Sequence, residues 1–171
     1  MSKLSQKVEL TANILIIVVA VLLVGVIAQK YFFGSSNDSN APTRVQPTVG
    51  TKINVPEVDL SAQPKTLVLV LQKGCRYCTE SAAFYKRLQE NTQNKNIKLV
   101  AVLPGKIEES AAYLSELGIA NMEVKQSPLN NLQTSGTPTL ILTNDKGEVT
   151  NFWIGKLPAE KEDEVIKQLN S

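Results

Sequence analysis

The sequence predicts an α/β domain, a central mixed sheet flanked by helices, with a transmembrane helix ahead of it. Three observations carry this. Two short runs of large aliphatics, Leu67–Leu71 and Ile97–Leu103, are each followed by residues with a helical repeat. That alternation implies parallel strands joined by crossover helices. Two further apolar runs flank Asn144-Asp145-Lys146-Gly147, which is turn chemistry, so the domain closes with an antiparallel hairpin. Finally, Leu10–Ala28 is almost wholly apolar, broken only by Thr11, Asn13 and Gly25.

A stretch of about 19 apolar residues is long enough to cross a hydrocarbon core of about 30 Å. Lys3, Lys7 and the amino terminus precede it, against Glu9, while Lys30 follows it together with Tyr31, Phe32 and Phe33 in the place of an interfacial belt. The charge bias orients residues 1–9 to the cytoplasm and makes 10–30 a signal anchor. The rival reading is a cleaved signal peptide with Val26-Ile27-Ala28 as its cleavage region. Either one exports the rest of the chain. Residues 31–63 read as a flexible linker, rich in Ser, Asn and Asp and punctuated by Pro42, Pro47 and Pro56. Such a composition buries too little apolar surface to fold alone, and its span is on the order of 30 Å. Within it, Ile53–Leu60 is a candidate edge strand.

From residue 64 to 171 the pattern is regular. Thr66–Leu71 is a strand, its unbroken apolar run suited to burial on both faces. Arg76 to about Thr92 is one helix, because Cys78, Ala82, Tyr85 and Leu88 share a face. Ile97–Leu103 is a strand stopped by Pro104-Gly105. Ile107, Ala111, Leu114 and Leu117 repeat at helical spacing up to Gly118, a C-capping residue. Glu123–Lys125 is a short strand and Pro128–Gln133 one or two helical turns. Thr139–Thr143 and Glu148–Ile154 form the hairpin. Pro158 opens a last helix to about Asn170, with Val165, Ile166 and Leu169 on its apolar face. About 105 residues bury a workable core without staples, so the cysteines are not needed as a scaffold.

Composition narrows the chemistry. With 18 Lys and Arg against 16 Asp and Glu the formal net charge is +2, and no basic stripe with interleaved aromatics argues for nucleic acid. Histidine is absent, which removes His general bases, Ser–His and Cys–His nucleophile pairs, and His metal ligands within this chain. The two cysteines, Cys75 and Cys78, sit where the first strand hands over to the helix. A zinc site would need two more ligands from another chain. Covalent haem attachment needs His after the second cysteine, where Thr79 stands. An inert bridge would close a very short loop and constrain little of the unfolded chain. A redox-active dithiol fits the position: the helix start, with Lys73 and Arg76 beside it, favours a Cys75 thiolate. Cys78 faces inward one turn later, at a Cα separation of about 5–6 Å compatible with a disulfide. Cys75 is then the attacking thiol and Cys78 the resolving one. Arg76 and Tyr77, between them, are expected to set the direction of the chemistry. The loop Ser135-Gly136-Thr137-Pro138-Thr139 falls beside Cys75 in this element order. Thr137–Pro138 is a candidate cis peptide, and Gly136, Thr137 and Pro138 would offer backbone to an extended substrate.

On the strand-Cys75-Arg76-Tyr77-Cys78-helix unit, Gly136-Thr137-Pro138-Thr139 and the Asp145-Lys146-Gly147 hairpin, the chain resembles the thioredoxin superfamily over residues 66–170. The N-terminal anchor and the extra helix, strand and turn between Val102 and Pro138 are similar to membrane-tethered TlpA-like and cytochrome c maturation thioredoxins. The resemblance implies a thioredoxin-like fold, Cys75 as nucleophile, Cys78 as resolving thiol and Pro138 as the cis-proline. It implies no cofactor beyond the redox-active Cys75–Cys78 disulfide, and no metal. Three departures stand out: Gly74 where thioredoxins carry Trp, the pair Arg76-Tyr77 between the cysteines, and no buried acid in the first strand, with Glu80 and Glu90 in the helix instead. Cationic neighbours would make the disulfide more oxidising. The expected function is a membrane-anchored, extracytoplasmic thiol–disulfide oxidoreductase acting on cysteine-containing exported proteins, in which a membrane protein supplies electrons and the chain is a monomer. The alternative is a redox-sensing or chaperone-like binding domain with little turnover.

Overall fold

The computed structural model describes residues 15–23, 45–93, 95–120 and 122–171. It divides into two compact units, 1–43 and 44–171. In the first unit the described residues form the helix α1 (15–23), whose aliphatic side chains are all exposed. Among the described residues no helix is long and apolar enough to cross a membrane. The remainder of the expected 10–30 span, and 31–44, lie outside the described residues.

The second unit contains β1 (Lys65–Val70), α2 (Arg76–Glu80), α3 (Ala82–Thr92), β2 (Ile97–Leu103), α4 (Ile107–Glu116), β3 (Glu123–Gln126), a 3-10 turn (Leu129–Leu132), β4 (Thr139–Asn144), β5 (Val149–Ile154) and α5 (Ala159–Leu169). The sheet order is β3-β2-β1-β4-β5. β1 pairs in parallel with β2, and β2 with β3; β4 is antiparallel to both β1 and β5. The mixed sheet and the closing hairpin are therefore as expected.

Alternation along the central strand separates two cores. Leu67, Leu69 and Leu71 point to one face, where Phe84, Tyr85, Leu88, Tyr113, Leu114, Val165 and Leu169 from α3, α4 and α5 cover them. Val68 and Val70 point to the other, with Val100, Val102, Ile141 and Val149. No α-helix covers that second face among the described residues. Ile53, Val55 and Leu60 do, together with Leu132 of the 3-10 turn. Here the structure corrects the sequence reading. The stretch 45–63, expected to be linker, is packed against the sheet, with Val55 only 1% exposed. No strand forms over Ile53–Leu60, where an edge strand was expected; an isolated bridge, Lys52 to Glu148, lies just ahead of it. Pro56 and the left-handed Glu57 (φ 59°) turn the chain there, so its apolar residues enter the core without a ladder. Sparse apolar residues sufficed because each of the three is placed inward.

A second correction concerns the helix after Cys75. It is two helices, broken at Ser81, which takes φ −95° and ψ 6°. The Ser81 hydroxyl and its N–H both donate to the Tyr77 carbonyl (2.9 and 3.2 Å). A serine side chain that competes for a helix carbonyl bends the helix. The apolar repeat continues across the break, which is why periodicity does not reveal it.

Candidate functional site

β1 delivers the cysteines. Beyond Val70, Leu71 still donates to the Val102 carbonyl (3.0 Å), and Cys75 N–H then closes a turn on the Gln72 carbonyl (3.2 Å). Gly74 lies in that turn at φ 79°, a left-handed conformation that a Trp would adopt only under strain. The local backbone thus accounts for one departure from the thioredoxin pattern. Cys75 is the N-cap of α2, and its sulfur accepts a hydrogen bond from the Cys78 N–H at 3.1 Å. α2 is five residues long. The aligned-dipole contribution expected from a long helix is therefore that of a short one, and the Cys78 amide is the donor that Cys75 meets directly.

Cys75 and Cys78 are joined as a disulfide, with Cα atoms 5.2 Å apart. Cys78 is completely buried beneath the helices, among the leucines of the larger core, whereas Cys75 is half-buried. Of the two, only Cys75 keeps contact with solvent. The β1–β4 pairing ends at Val70 opposite Thr139, which brings the preceding loop to the same end of the sheet. The Thr137–Pro138 peptide is cis, and the Thr137 carbonyl oxygen stands 3.4 Å from Cys75 Sγ.

Buried side-chain bonds shape that loop. Thr139 Oγ1 donates to the Gly136 carbonyl (2.8 Å) and meets Thr134 Oγ1 at 3.0 Å. At its far end the Gly155 N–H donates to the Pro138 carbonyl (2.7 Å). Beside the disulfide lies an open cavity of about 420 Å³, lined by Gln46, Tyr77, Ser135, Gly136, Thr137, Ile154 and Gly155.

The flanking residues divide. Tyr77 is exposed and forms part of the cavity wall. Lys73 is exposed in the turn. Arg76 turns along its helix to Glu80, Nε to Oε1 at 2.7 Å, and Lys156 reaches the same carboxylate at 2.9 Å. These two partners, Lys156 first, hold the Glu80 carboxyl below the usual carboxylate range. The charge of Arg76 is thus partly offset, which weakens the expected cationic field at Cys75. Sequence reasoning missed Gln46, Ile154, Gly155 and the Glu80–Lys156 pair. Ser135 was visible as part of the Ser-Gly-Thr-Pro-Thr run; nothing in the sequence marks Gln46. Among the described residues no group of three His, Cys, Asp or Glu gathers to hold a metal.

No protein-family model matches the sequence, and no curated protein sequence matches it. Solved structures do match. A protein of Chlorobium tepidum provisionally assigned as the thiol:disulfide interchange protein DsbE shares 22% identity at a TM-score of 0.60, over 73% of this chain and 98% of that one. The thioredoxin domain of a thiol-disulfide oxidoreductase from Bacteroides vulgatus shares 12% at 0.57, over 74% and 100%. StoA from Bacillus subtilis shares 18% at 0.50, over 70% and 97%. At these identities the likeness is one of fold.

Proposed function

We propose, from the premise that this chain has the thioredoxin-like fold, that it is a thiol–disulfide oxidoreductase. The observation that carries the reading is the asymmetry of the pair: Cys75 is half-buried at a helix N-cap against the Thr137 carbonyl, and Cys78 is sealed in the core. An inert bridge has no need of one partly exposed cysteine next to a cavity walled by Tyr77 and Thr137.

The structure holds the oxidised form, so the exchange is followed from there. A substrate thiolate attacks Cys75 Sγ along the S–S axis, and the Cys75–Cys78 bond breaks. Cys78 departs with the electron pair and, surrounded by apolar side chains, takes a proton. The substrate is now held on Cys75 as a mixed disulfide. A second substrate thiolate attacks the substrate sulfur and releases Cys75 as a thiolate, which the Cys78 N–H stabilises. The substrate dithiol has become a disulfide and the protein disulfide a dithiol; run in reverse, the same steps reduce a substrate. The Thr137 carbonyl faces Cys75, where backbone of an extended substrate can pair beside the attacked sulfur.

The apolar segment 10–30 supports an anchored protein with its second unit outside the cytoplasm, where cysteine-containing exported proteins are its substrates and a membrane protein exchanges electrons with it. Cys75–Cys78 is the only redox group this chemistry needs. The test is trapping. In the Cys78→Ser protein, Cys75 should accumulate mixed disulfides with exported proteins, and in the reduced protein Cys75 should alkylate faster near neutral pH than an ordinary thiol. Neither happening sinks the reading. The cavity also suits a second reading, a redox-sensing or chaperone-like binding domain; partners retained after both cysteines are changed to Ser would favour it.

A further inference from the structure

The first described residues of the second unit, 45–51, are fastened to the rim of the cavity beside the disulfide. Ser135 Oγ, from the loop that faces Cys75, donates to the Val45 carbonyl at 3.3 Å. Pro47 is buried. Gly50 N–H donates to the Val149 carbonyl and Val149 N–H to the Thr51 carbonyl, both at 2.8 Å. These attachments on either side hold Gln46 in one place, exposed, as part of the cavity wall with Tyr77, Thr137 and Ile154.

The rest of the wall says what kind of segment fits. Five large apolar side chains stay exposed in residues 44–171 among those described: Val45, Val49, Tyr77, Ile107 and Ile154. Two of them, Tyr77 and Ile154, line this cavity, and the carbonyl of a third, Val45, is bonded to its rim. Apolar surface left out of the core and gathered in one concavity marks a place where an apolar side chain is received. A primary amide beside it supplies two donors and one acceptor, the set that matches a peptide unit.

We propose that Gln46 is a specificity-determining residue of the exchange site: its amide hydrogen-bonds an extended polypeptide segment whose cysteine meets Cys75 and whose neighbouring apolar side chain rests on Tyr77 and Ile154. The inference rests on the oxidoreductase reading and deepens it, since it makes the lead-in segment part of the substrate site.

The test uses the full chain and two synthetic dithiol peptides that differ only in carrying Lys or Glu next to the attacking cysteine. The second-order rate constant for reduction of the Cys75–Cys78 disulfide is measured with each peptide, and with dithiothreitol as a small reductant that spans no groove. In every reaction one dithiol becomes a disulfide and the protein disulfide becomes two thiols. Gln46→Glu should favour the Lys peptide over the Glu peptide by about fivefold relative to the natural chain, and Gln46→Lys should reverse that preference, as expected for one exposed charge pair. Gln93→Glu, the same change of charge at the other end of α3, should leave the ratio as in the natural chain. If both Gln46 variants treat the two peptides alike, or Gln93→Glu shifts the ratio as much, Gln46 does not touch the substrate and the inference is overturned. If dithiothreitol and both peptides fail to reduce the natural chain, the oxidoreductase reading itself falls, and the inference with it.

Discussion

The Thr137 carbonyl oxygen stands 3.4 Å from Cys75 Sγ, although 62 residues separate the two in the chain. The antiparallel placement of β4 against β1 creates this meeting, and the hydroxyl of Thr139 maintains it by donating to the Gly136 carbonyl at 2.8 Å. Thr139 is completely buried. Thr139→Val keeps the shape and removes the donor, leaving the Gly136 carbonyl with only the longer bond from the Thr134 hydroxyl at 3.2 Å. The expected loss of stability is about 0.5–1.5 kcal/mol, read from denaturant unfolding, together with a changed rate of reaction at Cys75. Unchanged stability would mean that the loop is held by its backbone alone.

The lead-in segment should behave as core. Val55→Ala should cost about 1–3 kcal/mol, a value expected of a packed interior position and not of a linker. Leu69→Ala, at the centre of β1, should cost about 2–5 kcal/mol. Urea midpoints of the two variants check both figures, and a Val55→Ala protein as stable as the natural chain would remove the segment from the core.

Glu80 links Arg76 of α2 to Lys156 beyond β5. Its carboxyl is held below the ordinary range, so the folded state prefers the charged form. The associated stability is present above the unfolded pKa of about 4.3 and is lost as pH falls through the lower folded value. The difference in melting temperature between the natural chain and Glu80→Gln should therefore be visible at neutral pH, small because the pair is exposed, and vanish in acid. A difference that persists below the folded value would assign the effect to packing.

The hydroxyls of Tyr85 and Tyr113 are buried without a hydrogen-bond partner. Burial pushes the Tyr85 hydroxyl up, above the usual tyrosine range. The folded chain thus holds that proton after an unfolded chain would lose it, so stability falls as pH rises beyond about 10. Tyr85→Phe removes an unpaired polar group and should be neutral or stabilising, with a weaker decline in stability at alkaline pH. Calorimetry at neutral pH and near pH ~11 compares the two proteins.

Much of this was legible in the sequence because it is periodic or chemical. The unbroken apolar run Leu67–Leu71, the repeat in Ile107–Leu117 and the Asn144–Gly147 turn reported strand, helix and hairpin, and the element order alone predicts that the loop before Pro138 falls beside Cys75. What stayed hidden depends on single side chains acting at a distance. Ser81 breaks a helix through one hydroxyl without disturbing the apolar repeat. Ile53, Val55 and Leu60 enter the core from a stretch whose composition reads as linker. Arg76 was expected to act on Cys75; its i,i+4 spacing to Glu80 allows the ion pair on the helix face, but Lys156 reaches that carboxylate from 76 residues away, which spacing does not encode. Gln46 reaches the cavity only because Ser135 and Pro47 secure the segment that carries it.

That fastening has a mechanical side. Val45 is bonded to the Ser135 loop, and behind it come the Gly50–Val149 bond and the bridge at Lys52. A pull along the lead-in is borne first by the bond from Ser135, whose loop carries the Thr137 carbonyl opposite Cys75, and only afterwards by the sheet. Val45 is therefore a handle: tension applied there would load the disulfide side of the domain before any other part.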